Sequence, residues 1–190
     1  MLNNKFSKGV IFSCIAAIFW GLPQPLFFNE LNHVETIEVV AHRGFWSFIF
    51  LFLLLILISN ISDFIEIFKS RKRIFILTIT AFLIAGNWAG FIYSVGQERV
   101  QDASMGYFIT PMISIVLGYF FLNEKITKPK FASVCLMLSG ILFLFINLNQ
   151  FPFLIIWIGT SWAIYGLLRK QVNVNPPIGL LYETFIISLI

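Results

Sequence analysis

The sequence predicts an all-α polytopic membrane helix bundle with six complete transmembrane helices and the start of a seventh. Three observations carry that expectation. Charged residues make up only 12% of the chain and hydrophobic residues 58%, with a mean hydropathy of +0.88. Soluble domains hold about 25% charged residues, so the composition is that of a chain immersed in lipid. The apolar residues also fall into runs near the length a bilayer requires. Finally, the basic residues alternate between successive connections between those runs.

A hydrocarbon core about 30 Å thick takes about 20 mostly apolar helical residues. The runs Gly9 to Phe28, Thr36 to Ser59, Ile74 to Val95, Ala103 to Leu122, Phe131 to Asn147 and Phe151 to Leu168 fit that length. A seventh run begins near Ile178 and reaches Ile190 after about 20 Å of helix, short of a crossing. Lys5 and Lys8 precede the first span, Lys69, Arg71, Lys72 and Arg73 the third, and Lys125, Lys128 and Lys130 the fifth. Arg169 and Lys170 follow the sixth. Those residues share one side, Arg99 alone falls on the other, and Arg43 lies within a span. Cytoplasmic loops carry the excess of Lys and Arg, so the N-terminus is expected in the cytoplasm. This orientation accounts for the net charge of +4, and nucleic acid is not an expected partner.

Cys14 and Cys135 sit in apolar runs and read as packing residues, with neither a disulfide nor a metal site implied. The first run, though preceded by lysines, is not followed by an A-x-A site, so a cleaved signal peptide is disfavoured. P-loop, H-E-x-x-H and nucleophile-elbow motifs do not occur, and no cofactor is expected.

Sliding the chain along itself places "FWGL" (Phe19 to Leu22) over "IYGL" (Ile164 to Leu167) and Glu38 over Glu183, at a shared offset of 145 positions. Five spans separate the copies, so the second runs through the membrane in the opposite direction. Inverted repeats of this kind place binding sites at their interface in secondary transporters.

Trp20-Gly21 with Pro23, "EVVAHRGFWS" (Glu38 to Ser47), Asn87-Trp88, "ASMGYFITP" (Ala103 to Pro111), "NEK" (Asn123 to Lys125), "YGLLRK" (Tyr165 to Lys170) and "GLLYET" (Gly179 to Thr184) form a recognisable set. Together they resemble the RarD-type permeases, EamA-domain members of the drug/metabolite transporter superfamily. Met105 and Thr110 depart from the Leu and Asn of that pattern. The resemblance implies a ten-helix (5+5) inverted-repeat protein of the cytoplasmic (inner) membrane, associated with efflux of small molecules or drugs such as chloramphenicol. On that reading residues 1–150 form the first five-helix repeat and residues 151–190 the start of a second, incomplete one. The chain would be about two thirds of the family's length, needing a C-terminal half or a second copy as partner.

Candidate functional residues follow. Glu38 and His42 share a helix face, with Arg43 beside it, at the mouth of an apolar span. Either the cluster is an interfacial helix start with Arg43 snorkelling to headgroups, or it lines a cavity. In the second case Arg43 holds an anionic group or balances Glu38, and Glu38 or His42 exchanges a coupling proton. Tyr107, Pro111, Ser114 and Gly118 recur at helical spacing and are expected to face inward, Tyr107 offering a hydroxyl to the cavity. Trp20 and Trp46 are either interfacial belt residues or a stacking surface for substrate, whereas Trp157 reads as belt. Asn87 is expected to bond another helix or the substrate. Tyr165, through its motif, and Glu183, through the repeat, complete the set, Glu183 being either a coupling carboxylate or a cytoplasmic-edge residue.

The leading functional expectation is a secondary transporter that exports or exchanges a small organic metabolite or drug by alternating access, with H⁺ a candidate coupling ion. The rivals are a truncated, non-transporting piece of such a permease and an intramembrane enzyme using His42 and Glu38 as general base. The latter lacks a nucleophile or metal motif.

Overall fold

In the computed structural model residues 4–58, 62–146 and 152–189 are described, and every regular element among them is an α-helix. The elements are α1 (Asn4–Gly21), α2 (Pro23–Glu30), α3 (Thr36–Ile58), α4 (Ser62–Phe68), α5 (Arg71–Gly96), α6 (Val100–Leu122), α7 (Lys128–Ile146), α8 (Phe153–Val172) and α9 (Pro176–Ile187). The expected span ends at Ser59, Asn147 and Phe151 and the chain end at Ile190 lie outside the described residues. Among the described residues four stretches are long and apolar enough to cross a membrane: Ser7–Glu30, Thr36–Leu57, Arg71–Gly96 and Val100–Leu122.

The first span is broken where the sequence suggested one helix. α1 stops at Gly21 and α2 restarts at Pro23, with Leu22 donating its N–H to Ile18 O at 3.1 Å. Pro23 and Pro25 have no N–H, and a proline ring clashes with the preceding turn, so both are tolerated only as the opening of a new helix. The link between α3 and α5 carries the additional short helix α4, whose Ile67 is buried. Asn123 (φ 54°) and Asn173 (φ 48°) end α6 and α8 in the left-handed conformation that Asn adopts more readily than most residues.

Packing centres on α8, which lies along α5 and α6. Glycines set the spacing. A Cβ on Gly159 would stand 2.7 Å from Gly106 O, and one on Gly106 would stand 2.8 Å from Ile158 Cβ. Only bare backbone permits that approach, the usual way membrane helices gain dispersion contact. α9 crosses α3 in the opposite direction, with Gly44 against Ile187 and Phe48 tilted on Phe185 at 5.5 Å. It also runs beside α5, where Thr78 and Tyr182 share a 3.1 Å hydroxyl hydrogen bond.

Two expectations about facing are corrected. The buried residues of α6 are Ala103, Gly106, Ile109 and Gly118, while Pro111 and Ser114 are exposed and Tyr107 is half-buried. Gly118 is buried and Tyr107 reaches inward to Asn87 as expected, whereas Pro111 and Ser114 do not face inward, because the contact with α8 turns on the close approach at Gly106. Cys14 and Cys135 are exposed rather than packed. On a lipid-facing helix an apolar side chain has no need of a protein core.

Candidate functional site: a cavity and a buried polar network

A cavity of about 1,100 Å³ lies between the end of α1 and α2 on one side and the first half of α3 on the other. Trp20, Gln24, Glu38, His42, Arg43 and Trp46 are among its lining residues. His42 Nε2 and Glu38 Oε1 are 4.0 Å apart, and their side chains are 66% and 60% exposed, so this pair forms the exposed rim of the lining. Arg43 lies deeper. Its guanidinium stacks 4.0 Å from the ring centre of Trp88 and 5.6 Å from that of Phe28, both buried residues. Among the described residues the carboxylate of Glu38 pairs with His42, and none is ion-paired with Arg43. A guanidinium held against aromatic rings keeps N–H donors for another partner.

Beneath the cavity Asn87, fully buried on α5, ties three helices together. Its Nδ2 donates to Ile158 O at 2.9 Å and to Ser161 Oγ at 3.0 Å on α8, and its Oδ1 accepts from the Tyr107 hydroxyl at 2.9 Å on α6. The amide is satisfied, as buried amides in lipid must be. Tyr107 also meets Trp20 edge-on at 6.1 Å and Trp162 at 6.3 Å.

A second polar centre gathers α5, α8 and α9 around Glu183, whose side chain is fully buried. Thr80 Oγ1 donates to its Oε1 at 2.6 Å and the Tyr165 hydroxyl to its Oε2 at 3.0 Å. Arg169 Nε lies 3.5 Å from Oε1, its side chain 12% exposed. Gly179 makes room for that guanidinium, since a Cβ there would overlap it. Three donors from α5 and α8 around one fully buried carboxylate of α9 make a cross-brace rather than an edge residue, so Glu183 does not sit at a solvated boundary. The two centres are joined by rings: Trp20 meets Trp162 edge-on at 5.7 Å, and Trp162 stacks on Tyr165 at 5.1 Å.

The nine residues nominated from sequence therefore divide between connected places. Trp20, Glu38, His42, Arg43 and Trp46 line the cavity, Asn87 and Tyr107 lie beneath it, and Tyr165 and Glu183 belong to the second centre. Sequence reasoning passed over Thr80, which has no signal inside an apolar run. It also passed over Arg169, counted as a loop cation although its spacing of four from Tyr165 puts both on one helix face. Trp157, expected in the interfacial belt, is exposed and also donates from Nε1 to Gly86 O at 2.9 Å, tying α8 to α5. Among the described residues no group of three or more His, Cys, Asp or Glu is arranged to hold a metal ion.

The chain belongs to the EamA-like transporter family, whose pattern matches residues 7–146. It is 34% identical to protein RarD of Escherichia coli (strain K12) over 93% of its own length and 60% of that protein. It is 33% identical to an uncharacterized transporter of Vibrio cholerae, over 93% of this chain and 58% of the relative. With the uncharacterized transporter YojE of Bacillus subtilis it shares 30% identity over 98% of this chain and 63% of the relative. The chain thus spans about 60% of the length of these curated relatives. No solved structure matches it.

Proposed function

We propose that the chain is the substrate-binding portion of a multi-pass permease of the cytoplasmic membrane, with its N-terminus in the cytoplasm, that moves a small organic metabolite or drug by alternating access. Six spans and the start of a seventh are assigned to it, residues 1–150 forming one repeat and residues 151–190 opening its inverted partner. The single observation that carries this reading is the pairing of a 1,100 Å³ open cavity at the Glu38 end of α3 with a sealed network around Glu183 in the second half of α9. A solute enters where the wall is open, and the braced end closes the path. In this reading Glu183 is the group that must release Thr80 and Arg169 when access switches, and a proton is the candidate trigger.

The inverted repeat draws support from α3 and α9. The 145-position offset makes them equivalents, they cross in opposite directions, and Gly44 touches Ile187 close to the position where the offset would set Gly44 against its own counterpart, Leu189. Two equivalent elements related by a two-fold axis meet in this way.

A second reading, favoured by the chain's span of about 60% of its relatives, is that these residues bind solute without moving it. One relative, 24% identical, is named chloramphenicol-sensitive protein RarD of Pseudomonas aeruginosa, which makes chloramphenicol the first compound to test. Labelled chloramphenicol accumulation is compared between cells producing the protein and cells carrying the empty vector. A change in accumulation that depends on the protein supports transport. No change, with binding to the purified protein retained, selects the second reading; neither change nor binding excludes chloramphenicol as the solute.

A further inference from the structure

The charges of the cavity are unequal in their commitments. Glu38 and His42 face each other at the rim. Arg43, further in, is fixed by Trp88 and Phe28, with no carboxylate paired to it among the described residues. Around it the lining is mostly apolar and aromatic, including Phe19, Trp20, Phe27 and Trp46. A cation against a low-dielectric wall binds an anion more strongly than one in water does, and an unpaired cation is costly to hold there. The aromatic rings accept through their π faces and no group among the described residues accepts a hydrogen bond from Arg43, so its planar N–H fork can meet a carboxylate through two parallel hydrogen bonds. A single available cation matches a single negative charge. A doubly charged anion would need a second, and His42 is drawn toward Glu38.

We propose that the cavity selects organic monocarboxylates with an aromatic or bulky apolar body, the carboxylate docking on the Arg43 edge and the body on the Trp20 and Trp46 side of the wall. This rests on the reading of the cavity as the solute site and narrows it to one chemical class. Glu38, at the mouth, disfavours anions at the rim and leaves Arg43 as the point of capture.

Three probes of nearly one shape test the class: 2-naphthoate, 2-naphthamide and 2-naphthylmethylammonium. Each is measured by equilibrium binding to the whole 190-residue protein in lipid nanodiscs, with empty nanodiscs as blank. 2-Naphthoate is expected to bind at least about tenfold more tightly than the amide, the scale of one charge-assisted bidentate contact, and the ammonium more weakly than both. Arg43→Gln removes the preference while amide binding remains, which shows that the variant is folded. Arg43→Lys keeps the charge without the fork and leaves an intermediate preference. Equal binding of all three probes overturns the carboxylate class but leaves the cavity as a solute site. Binding of none above the blank overturns the cavity reading, and this inference with it.

Discussion

The hydroxyl of Thr80 donates to Glu183 Oε1 at 2.6 Å, joining positions 103 residues apart in a part of the bundle closed to solvent. Replacing Thr80 by Val keeps the shape and removes the donor. A buried acceptor that loses one bond costs about 1–3 kcal/mol. Thr80→Val is therefore expected to lower resistance to denaturant in detergent by about that amount. Glu183→Ala, which strips Arg169 and Tyr165 of their shared acceptor as well, is expected to lower it further. Equal stability of Thr80→Val and the parent would show that the bond braces nothing.

Gly179 tests the same network from its other side. The Cβ of Gly179→Ala overlaps the Arg169 guanidinium, which is the far end of a flexible side chain and moves instead of the backbone. The helix content should stay unchanged by circular dichroism while Arg169 leaves Glu183. A Gly179→Ala/Arg169→Gln double variant should then be no less stable than Arg169→Gln alone, a non-additivity that a double-mutant cycle reads directly.

Where α6 meets α8, the neighbour cannot yield so easily. The Cβ of Gly159→Ala would stand 2.7 Å from the backbone oxygen of Gly106. Overpacking costs about 1–3 kcal/mol, and here the helices must part to relieve it. Gly140, which has open space where a Cβ would go, is the control. Gly159→Ala is expected to destabilise the protein in detergent and Gly140→Ala not to do so.

The loop after α6 is outside the spanning segments, and Glu124 there accepts a 2.6 Å hydrogen bond from Lys170 Nζ. That bond, with the Lys170 and Lys130 charges, holds its carboxyl below the usual carboxylate range. The bridge therefore contributes at pH values above the ordinary carboxylate pKa and is lost as pH falls through the lowered one. Lys170→Gln should move the Glu124 titration back up, a change that side-chain carboxyl NMR measures; an unmoved titration would remove Lys170 as the cause.

Four of the expected spans and the cavity-lining cluster were legible because each depends on local signals: apolar runs, and the spacing of Glu38, His42 and Arg43 on one helix. The break at Leu22 was legible in principle, as Pro23 and Pro25 permit little else. Other features were hidden because they depend on which helices meet. Nothing in an apolar run marks Thr80 as the partner of Glu183, and counting Arg169 as a loop charge concealed its inward reach. The α6 stripe was misread at Pro111 and Ser114 for a related reason, since they have the right period with Tyr107 and Gly118 but the small residue in the contact with α8 is Gly106. The 145-position offset carried information across that gap, pointing to Glu183 when local context suggested only a helix start.

Trp88 provides a stability test of the cavity wall. Its ring lies 4.0 Å under Arg43, a cation–π contact of about 0.5–2 kcal/mol. Trp88→Leu keeps an apolar residue in the buried position but frees the guanidinium. The variant should lose stability, and pairing it with Arg43→Gln should recover part of the loss. Strict additivity of the two substitutions would argue that the contact contributes nothing.

The central claim is that the cavity opens to one face of the membrane while the Glu183 network closes the other. It is tested most directly by the rate at which Ser47→Cys, on the cavity lining, reacts with a membrane-impermeant thiol reagent added to either face, in a Cys14→Ser/Cys135→Ser background because both native cysteines are exposed. The account predicts reaction from the face bearing His33 and none from the face bearing Lys170, with Glu183→Gln adding reaction from the Lys170 face. Equal reaction from both faces of the parent, or no change in Glu183→Gln, would contradict it.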